Sequence, residues 1–311
     1  MQPFRWGVFG GPDKVKAFAG DLQHAEGRHV LAALVAAEEM PELAGTAHVA
    51  DLERLLQAGV DAVYLATPWG EHYHQVRQCL LHGVPVLCER PIATNAGQLR
   101  SLMQLSADTN TFMMEAMWIR FLPSIKKILS VISTGTIGEV VAVKASISPK
   151  FIARGAQSAE ESLGTLMELG VYPVFLSTLF LGKPEYVQAA GRLLPGGRRD
   201  NFSAFLSFRE GQYAFLETGL ALGTSLAVIQ GGKGSITIRN PWSAKPEGIE
   251  VDLPDGTKVL HRSDWPGLGL HFELDEVAAC VGRDEIESPL YCHHFMLDVL
   301  HTLDAIRVQL A

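Results

Sequence analysis

The first 116 residues alternate short apolar runs with segments of helix length, and this alternation constrains the fold more than any other feature of the sequence. The apolar runs are Phe4–Phe9, Val30–Val35, Ala62–Ala66, Val84–Leu87 and Thr111–Met114, and the segments between them are residues 14–25, 49–57, 71–82 and 95–107. Strands separated by helices are typical of βαβ units, whose right-handed crossovers build one parallel sheet. We therefore predict an α/β domain over residues 1–116, with a doubly wound, Rossmann-like sheet suited to bind a dinucleotide.

The pattern changes after residue 116. Segments of helix length enclose one strand at residues 139–147, and seven short runs then follow one another between turn-forming residues, at 186–194, 202–209, 212–220, 226–230, 235–239, 248–252 and 258–261. Consecutive strands with tight connections favour an antiparallel sheet. We predict that residues 117–311 form an α+β domain for substrate binding and oligomerisation, with a large, open, mainly antiparallel sheet covered by helices on one face. Because an exposed apolar sheet face is a liability, we expect a homodimer or homotetramer to form through this sheet.

The charges and the cysteines exclude several classes of protein. Lys and Arg number 26 against 34 Asp and Glu, a formal net charge of −8, and an acidic chain without a basic run is poorly suited to hold a nucleic acid. No run approaches the ~20 apolar residues that span a bilayer, and the first residues lack the pattern of a signal peptide. Four cysteines without C-x-x-C spacing indicate reduced thiols, so we expect a cytoplasmic protein. Histidines that lie one or two residues apart do not face one site, and we expect no metal.

The turn after the first predicted strand is where a dinucleotide site belongs. A phosphate-binding turn of the type G-x-G-x-x-G/A uses its second glycine to let the backbone approach the pyrophosphate at a helix N-terminus. Gly10 fits the first position and Gly11 follows it, but Pro12 stands where the second glycine belongs, and Asp13 repels a phosphate. After the second strand, Glu38 can accept from a ribose diol, which favours NAD over NADP.

Several motifs further along the chain resemble those of one enzyme family. Ala66-Thr67-Pro68, then His72, then the run from Gly83 to Cys88-Glu89-Arg90-Pro91 resemble ATP…H…GKHVLCEKP of the Gfo/Idh/MocA oxidoreductases. The stretches MEAMWIRFLP at 114–123, GTIGEV at 135–140, GGKGSI at 231–236 and ESP at 287–289 are similar to the branch of dimeric dihydrodiol dehydrogenase and xylose dehydrogenase. The resemblance spans the whole chain and is specific through the order and spacing of its motifs.

The resemblance implies hydride transfer between a nicotinamide and a sugar-like or cyclic secondary alcohol, a small-molecule substrate. The family's D-x-G-x-H/Y segment reads Glu168-Leu169-Gly170-Val171-Tyr172 here, so Tyr172 is implied as the general acid/base. Residues four apart share a helix face, so Glu168 is expected beside it. A phenol needs a neighbouring cation to act near neutral pH, and Arg90, which replaces the lysine of E-K-P, could be that cation. Unlike lysine, arginine keeps its proton and presents a planar fork.

The same resemblance assigns the lining of the cofactor and substrate sites. The residues implied at the cofactor are Gly10, Gly11, Pro12, Glu38, Thr67, Pro68, Glu89 and Arg90. Those implied at the substrate are Trp118, Arg120, Phe151 and Arg154, two aromatic and two cationic side chains that would suit a carboxylated or polyhydroxylated ring.

Two hypotheses about function remain open at this point. The first is an NAD-dependent, less readily NADP-dependent, oxidoreductase. The second is a catalytically impaired family member with weak or no dinucleotide binding that acts as a binding or scaffold protein. The second is motivated by departures that accumulate at the nucleotide, namely Pro12, Asp13, Val15, Ala37, the short segment after Glu38, and Arg90.

Overall fold

The computed structural model describes residues 2–36, 40, 43, 45–148, 166–193, 199–219 and 225–310. The chain divides into two compact units. One comprises Met1–Leu122 with Trp265–Leu297, and the other Pro123–Asp264 with Asp298–Ala311.

The first unit is built on a parallel sheet of six strands in the order β3-β2-β1-β4-β5-β6. The strands are β1 (Phe4–Gly10), β2 (His29–Val35), β3 (Ala47–His48), β4 (Ala62–Ala66), β5 (Val86–Cys88) and β6 (Met113–Glu115). The helices between them are α1 (Pro12–Leu22), α2 (Leu52–Leu56), α3 (Trp69–Leu81) and α4 (Ala96–Thr109). The predicted doubly wound sheet is confirmed. The strand order reverses between β1 and β4, and ligands of such sheets bind outside the carboxyl ends of the strands at that point.

Capping residues set two of the helix starts. Asp51 and Asn95 precede α2 and α4, and the side chain of each accepts a hydrogen bond from the backbone N–H three residues on. Such caps satisfy N–H groups that have no partner inside the helix. The bounds of several elements differ from the sequence prediction. For example, β5 begins at Val86 instead of Val84, and no bounds were predicted for the short edge strand β3.

Aromatic side chains fill the core between α1 and the sheet. Phe18 of α1 stacks on Tyr64 of β4 with ring centroids 4.8 Å apart, and it meets Trp6 of β1 edge-on at 5.4 Å. All three side chains are buried. This packing fixes α1 against β1 and β4, and it holds Tyr64 in place near the carboxyl end of the sheet.

The second unit contains a sheet of eight strands in the order β14-β13-β12-β11-β7-β10-β9-β8. The strands are β7 (Val140–Ile147), β8 (Tyr186–Leu193), β9 (Arg199–Ser207), β10 (Tyr213–Gly219), β11 (Leu226–Gly231), β12 (Ser235–Arg239), β13 (Ile249–Asp252) and β14 (Lys258–His261). Only the β7–β10 pair is parallel among these described strands. The predicted large, mainly antiparallel sheet is therefore confirmed.

Helices complete the fold. They are α5 (Pro123–Ser133), α6 (Val171–Leu181), α7 (His271–Val281) and α8 (His293–Leu310). A π-helical segment, Leu166–Gly170, leads directly into α6, which packs on β7 and β10. Eight residues of α6 from Val171 to Thr178 are buried in succession, as expected of a helix enclosed on all sides. Among the described residues, no helix is long and apolar enough to cross a membrane.

Candidate functional site

The turn from β1 to α1 has room for a ligand at one of its two glycines. A Cβ on Gly10 would lie 2.8 Å from the Cβ of Ala66 and 2.9 Å from its carbonyl oxygen, so Gly10 lets β1 approach β4 closely. A Cβ on Gly11 would meet nothing within 4 Å. Gly11 is the residue before α1, and no side chain caps this helix start, which begins with Pro12. The backbone here therefore fits an anionic group, although Pro12 supplies no N–H.

Glu89, which follows β5, is held by hydrogen bonds from two directions. Its Oε1 accepts from the hydroxyl of Tyr64 at 2.8 Å and from Nζ of Lys14 at 2.5 Å. Burial alone would raise the pKa of Glu89, but the charges of Lys14 and Arg90 and these two hydrogen bonds outweigh burial and lower the pKa to about 2. Glu89 is therefore an anion at neutral pH, paired with a cation from the first turn of α1.

A second carboxylate, Glu115 at the end of β6, fixes the segment that carries Arg90. The backbone N–H of Ile92 donates to Glu115 Oε2 at 2.9 Å, and the hydroxyl of Tyr291 donates to Oε1 at 2.8 Å. Burial raises the pKa of Glu115, while these hydrogen bonds and the charge of Arg90 act against the rise. The ring of His72 lies between the carbonyl oxygens of Pro91 and Thr67, 2.8 Å from each. The segment from Glu89 to Ile92 is thus anchored on both sides.

Thr67 and Pro68 lie at the same edge, directly after β4. Pro68 precedes the first residue of α3. The hydroxyl of Thr67 donates to Oε1 of Gln75 at 2.5 Å, and its carbonyl oxygen contacts His72. Among the residues implied at the cofactor, Gly10 is the last residue of β1. Those that follow β1, β4 or β5 are Gly11, Pro12, Thr67, Pro68, Glu89 and Arg90, and the carboxyl ends of these neighbouring strands meet at one edge. Glu38 lies outside the described residues.

Glu273, in the first turn of α7, joins this edge although the sequence did not single it out. Its side chain is 2% exposed. Burial, and then the charge of Glu89, raise the pKa of Glu273 well above its usual range. The start of α7 is fixed by the buried Asp21, whose carboxylate accepts from the backbone N–H groups of Leu268 at 2.7 Å and Leu270 at 2.6 Å. Glu273 has the helical spacing of the buried Val277 and Cys280, and an acidic residue at such a core-facing position was the signal that could have identified it.

Two of the four residues implied at the substrate lie among the described residues. Trp118 and Arg120 belong to a short 3-10 helix at Trp118–Phe121. Arg120 is buried, and its Nε donates to the carbonyl oxygen of Leu290 at 2.8 Å. Burial lowers the pKa of Arg120 from its usual value. Phe151 and Arg154 lie outside the described residues.

The implied acid/base residues lie in the second unit, where the π-helical segment meets α6. Glu168 belongs to that segment and Tyr172 to the first turn of α6. The Tyr172 ring is buried and packs on Trp242, with centroids 5.6 Å apart. Trp242 is fixed in turn because its Nε1 donates to the carbonyl oxygen of Ser146 on β7 at 2.9 Å. The phenol is therefore held by a rigid aromatic neighbour.

No described group of three or more His, Cys, Asp or Glu side chains could hold a metal ion. His72 is occupied by two carbonyl oxygens, and His293 Nε2 contacts the carbonyl oxygen of Met113 at 2.9 Å. In both histidines these contacts fix the ring within the fold.

Comparison with known proteins agrees with the geometry of both units. Residues 4–116 match the family described as "Oxidoreductase family, NAD-binding Rossmann fold", and residues 125–237 match the "GFO/IDH/MocA C-terminal domain". The chain belongs to the Gfo/Idh/MocA oxidoreductase family. The resemblance stated from the motifs is thereby confirmed, and the first unit is the family's NAD(P)-binding fold.

Relatives within the family include dehydrogenases. The chain is 33% identical over 241 residues to trans-1,2-dihydrobenzene-1,2-diol dehydrogenase of Xenopus laevis. The match covers 74% of this chain and 72% of the relative. Its fold is similar to that of a mutant 3-ketoreductase from Actinomadura kijaniata in complex with TDP-benzene and NADP (TM-score 0.83, 23% identity, 100% of this chain and 98% of the other). It is also similar to aldose-aldose oxidoreductase from Caulobacter crescentus (TM-score 0.86, 18% identity, 99% and 97%).

Proposed function

We propose that this protein is an NAD-dependent oxidoreductase that transfers a hydride between the nicotinamide and a sugar-like or cyclic secondary alcohol. The observation that supports the proposal is that Tyr172 is buried in the first turn of α6; the D-x-G-x-H/Y resemblance implies this residue as the acid/base. The proteins similar to this chain support the substrate class, since they include a dihydrodiol dehydrogenase and an aldose-aldose oxidoreductase.

In this proposal each residue has a separate task. Tyr172 exchanges a proton with the substrate hydroxyl, and Glu168 orients that hydroxyl. Arg90 remains charged throughout and orients polar groups of the nicotinamide or substrate by its planar fork. The bound nicotinamide supplies or accepts the hydride. Gly10, Gly11, Thr67, Pro68 and Glu89 line the cofactor, and Glu38 accepts from its ribose, which favours NAD.

The proposal is tested by turnover on a panel of substrates. Purified protein is incubated with NAD or NADP and with aldoses, inositols or cyclic trans-diols, and nicotinamide reduction is followed by absorbance. We expect alcohol-dependent reduction of NAD, with NADP the poorer cofactor. No reduction with any member of the panel, together with no oxidation of NADH by the corresponding ketones, would contradict the proposal.

A second candidate function is a family member that has lost catalysis and binds a partner or ligand without turnover. The Lys14–Glu89 ion pair favours it, because the only basic side chain in the first turn of α1 is committed to a carboxylate. This candidate predicts that neither NAD nor NADP is reduced and that Tyr172→Phe changes no ligand-binding property of the protein.

The proposal includes a homodimer or homotetramer formed through the open face of the eight-stranded sheet. Phe205 of β9 and Phe215 of β10 are cross-strand partners on that face and are 40% and 41% exposed. Phe205 also stacks on Tyr213 at 6.0 Å. Burial of such a patch favours association. Phe215→Glu should shift the protein toward monomer in sedimentation velocity, and an unchanged sedimentation coefficient would exclude this face.

We also propose a cytoplasmic location. The four cysteines of the chain, Cys79, Cys88, Cys280 and Cys292, are free thiols. Burial raises the pKa of Cys79 to about 12, and a thiol with a raised pKa is unreactive. Free thiols are typical of a reducing compartment.

A further inference from the structure

The first turn of α1 brings charges of both signs to the place where a dinucleotide phosphate would meet the helix. Asp13 and Lys14 follow Gly11 and Pro12 directly. A helix N-terminus favours an anion through its backbone N–H groups. Here Asp13 opposes that preference, and Lys14 is the only residue of the turn whose side chain could compensate for it.

The ammonium group of Lys14 is not surrounded by solvent only, because it donates a hydrogen bond to Glu89 Oε1. The Lys14 side chain is 50% exposed, whereas that of Glu89 is only 17% exposed. Tyr64 holds the same carboxylate oxygen from the buried side of the sheet. Glu89 is therefore the fixed member of the pair, and the Lys14 side chain is the member that can be moved by a competing anion.

No other described carboxylate takes the place of Glu89 beside Lys14. The charges of Glu89, Lys14 and Arg90 act on the pKa of Glu273, and burial raises that pKa well above its usual range, which disfavours the charged form of Glu273. The hydroxyl of Tyr64 is likewise held neutral by burial and by Glu89, which raise its pKa. Lys14 and Arg90 are therefore the cations that act on Glu89, and Glu89 is the carboxylate that pairs with Lys14.

We propose that the Lys14–Glu89 pair is a charge lock that sets the affinity of this protein for a dinucleotide. Glu89 pairs with the ammonium group of Lys14, which would otherwise be available to a cofactor phosphate at the start of α1. A phosphate must compete with a fixed internal carboxylate for Lys14, and it must do so beside Asp13. The inference rests on the proposed cofactor site, and it deepens that site by naming which pair of side chains limits binding.

The charge lock predicts opposite changes in NADH affinity when Glu89 and Lys14 are substituted. Glu89→Gln keeps an oxygen that can accept from Tyr64 but removes the charge, so Lys14 is released to meet a phosphate. We expect this variant to bind NADH about tenfold more tightly than the wild type, with a steeper dependence on salt, because one more cation then contacts phosphate. Lys14→Met removes the ion-pair partner of Glu89 and leaves its carboxylate charge near the phosphate, so we expect binding about tenfold weaker. The double variant should return close to the wild-type value.

The experiment titrates each variant with NADH and, separately, with inorganic pyrophosphate, by calorimetry at two salt concentrations. Lys16→Met is the control for the loss of a nearby lysine, and Glu71→Gln, in the first turn of α3, is the control for the loss of an exposed carboxylate. Both controls should bind as the wild type does. Thermal melting of each variant shows that it is folded.

The outcomes separate the lock from the proposed function. Tighter binding of NADH or pyrophosphate by Glu89→Gln supports the lock, whether or not any alcohol is oxidised. Unchanged or weaker binding of both probes by Glu89→Gln overturns it, because Glu89 would then be either irrelevant to the phosphate or itself a ligand of the cofactor. Absence of binding in every variant also overturns it. The proposed function fails on a different readout, the lack of alcohol-dependent turnover in both the wild type and Glu89→Gln.

Discussion

The turn between β1 and α1 and the first turn of α6 differ in how closely they follow the family's pattern. At the β1–α1 turn, Gly10 is kept while Pro12, Asp13 and Val15 depart from a phosphate-binding sequence. At the start of α6, Tyr172 is kept and is packed on Trp242. Position 10 requires a glycine because the backbone approaches Ala66 closely there, whether or not a ligand binds nearby. The glycine at position 10 is therefore weak support for cofactor binding, whereas a tyrosine at position 172 meets no such packing requirement and is stronger support for the proposed proton transfer.

The largest expected effect lies at the start of α6. Tyr172→Phe removes the hydroxyl that we assign to proton transfer and keeps the ring that packs on Trp242. We expect kcat to fall about 10²–10⁴-fold while the protein stays folded. Tyr213→Phe, on the sheet, is the matched control and should keep kcat. If the two variants have the same turnover, Tyr172 is not the acid/base residue.

The backbone of the β1–α1 turn can be tested with two neighbouring glycines. Gly10→Ala would place a methyl group 2.8 Å from Ala66 Cβ, so we expect a loss of about 1–3 kcal/mol of unfolding free energy from overpacking. Gly11 has extended backbone angles, φ −68° and ψ 156°, and open space around it. Gly11→Ala should therefore change the stability by less than about 1 kcal/mol. Urea denaturation measures both, and equal midpoints would contradict the packing role of Gly10.

The Lys14–Glu89 pair should make the free energy of unfolding depend on pH. The pKa of Glu89 falls from 4.5 to about 2 on folding, so its contribution to stability is present above pH 4.5 and is lost as the pH falls toward 2. We expect this contribution to be about 1–2 kcal/mol, below the full linkage value because Lys14 is half exposed. The difference in unfolding free energy between wild type and Glu89→Gln should shrink between pH 4.5 and 2. A difference independent of pH would mean that Glu89 is not held as an anion.

The smallest expected effect is at the aromatic support of Tyr172. Trp242→Phe loses the hydrogen bond from Nε1 to the Ser146 carbonyl oxygen and part of the contact with the Tyr172 ring. We expect about 1 kcal/mol of destabilisation and a modest fall in kcat. Trp265→Phe, in the other unit, is the comparison that should leave kcat unchanged. A fall in kcat of equal size in both variants would remove the special role of Trp242.

The sequence was sufficient to predict the alternation of the first unit, because buried parallel strands appear as continuous apolar runs, such as Ala62–Ala66, all five residues of which are buried. It was also sufficient for the mainly antiparallel sheet, whose strands are separated by turn residues. It was less informative about the edge strand β3, which has only two residues and both are exposed. Such a strand leaves no periodic signal.

The candidate site was only partly predictable. Glu89 and Arg90 could be identified from a motif, but their partners come from distant parts of the chain. Lys14 lies 75 positions before Glu89, and Tyr291 lies 176 positions after Glu115. No local pattern records such pairs, and their electrostatic consequences depend on burial, which only the fold determines.

The central claim, that the first unit binds NAD in spite of its altered turn, is tested most directly by titrating the wild-type protein with NADH and NADPH and following nicotinamide fluorescence. We predict saturable binding of both, with NADH the tighter ligand because Glu38 is expected to accept from the free ribose diol. A fluorescence signal that does not change up to millimolar concentrations of either nucleotide would contradict the claim.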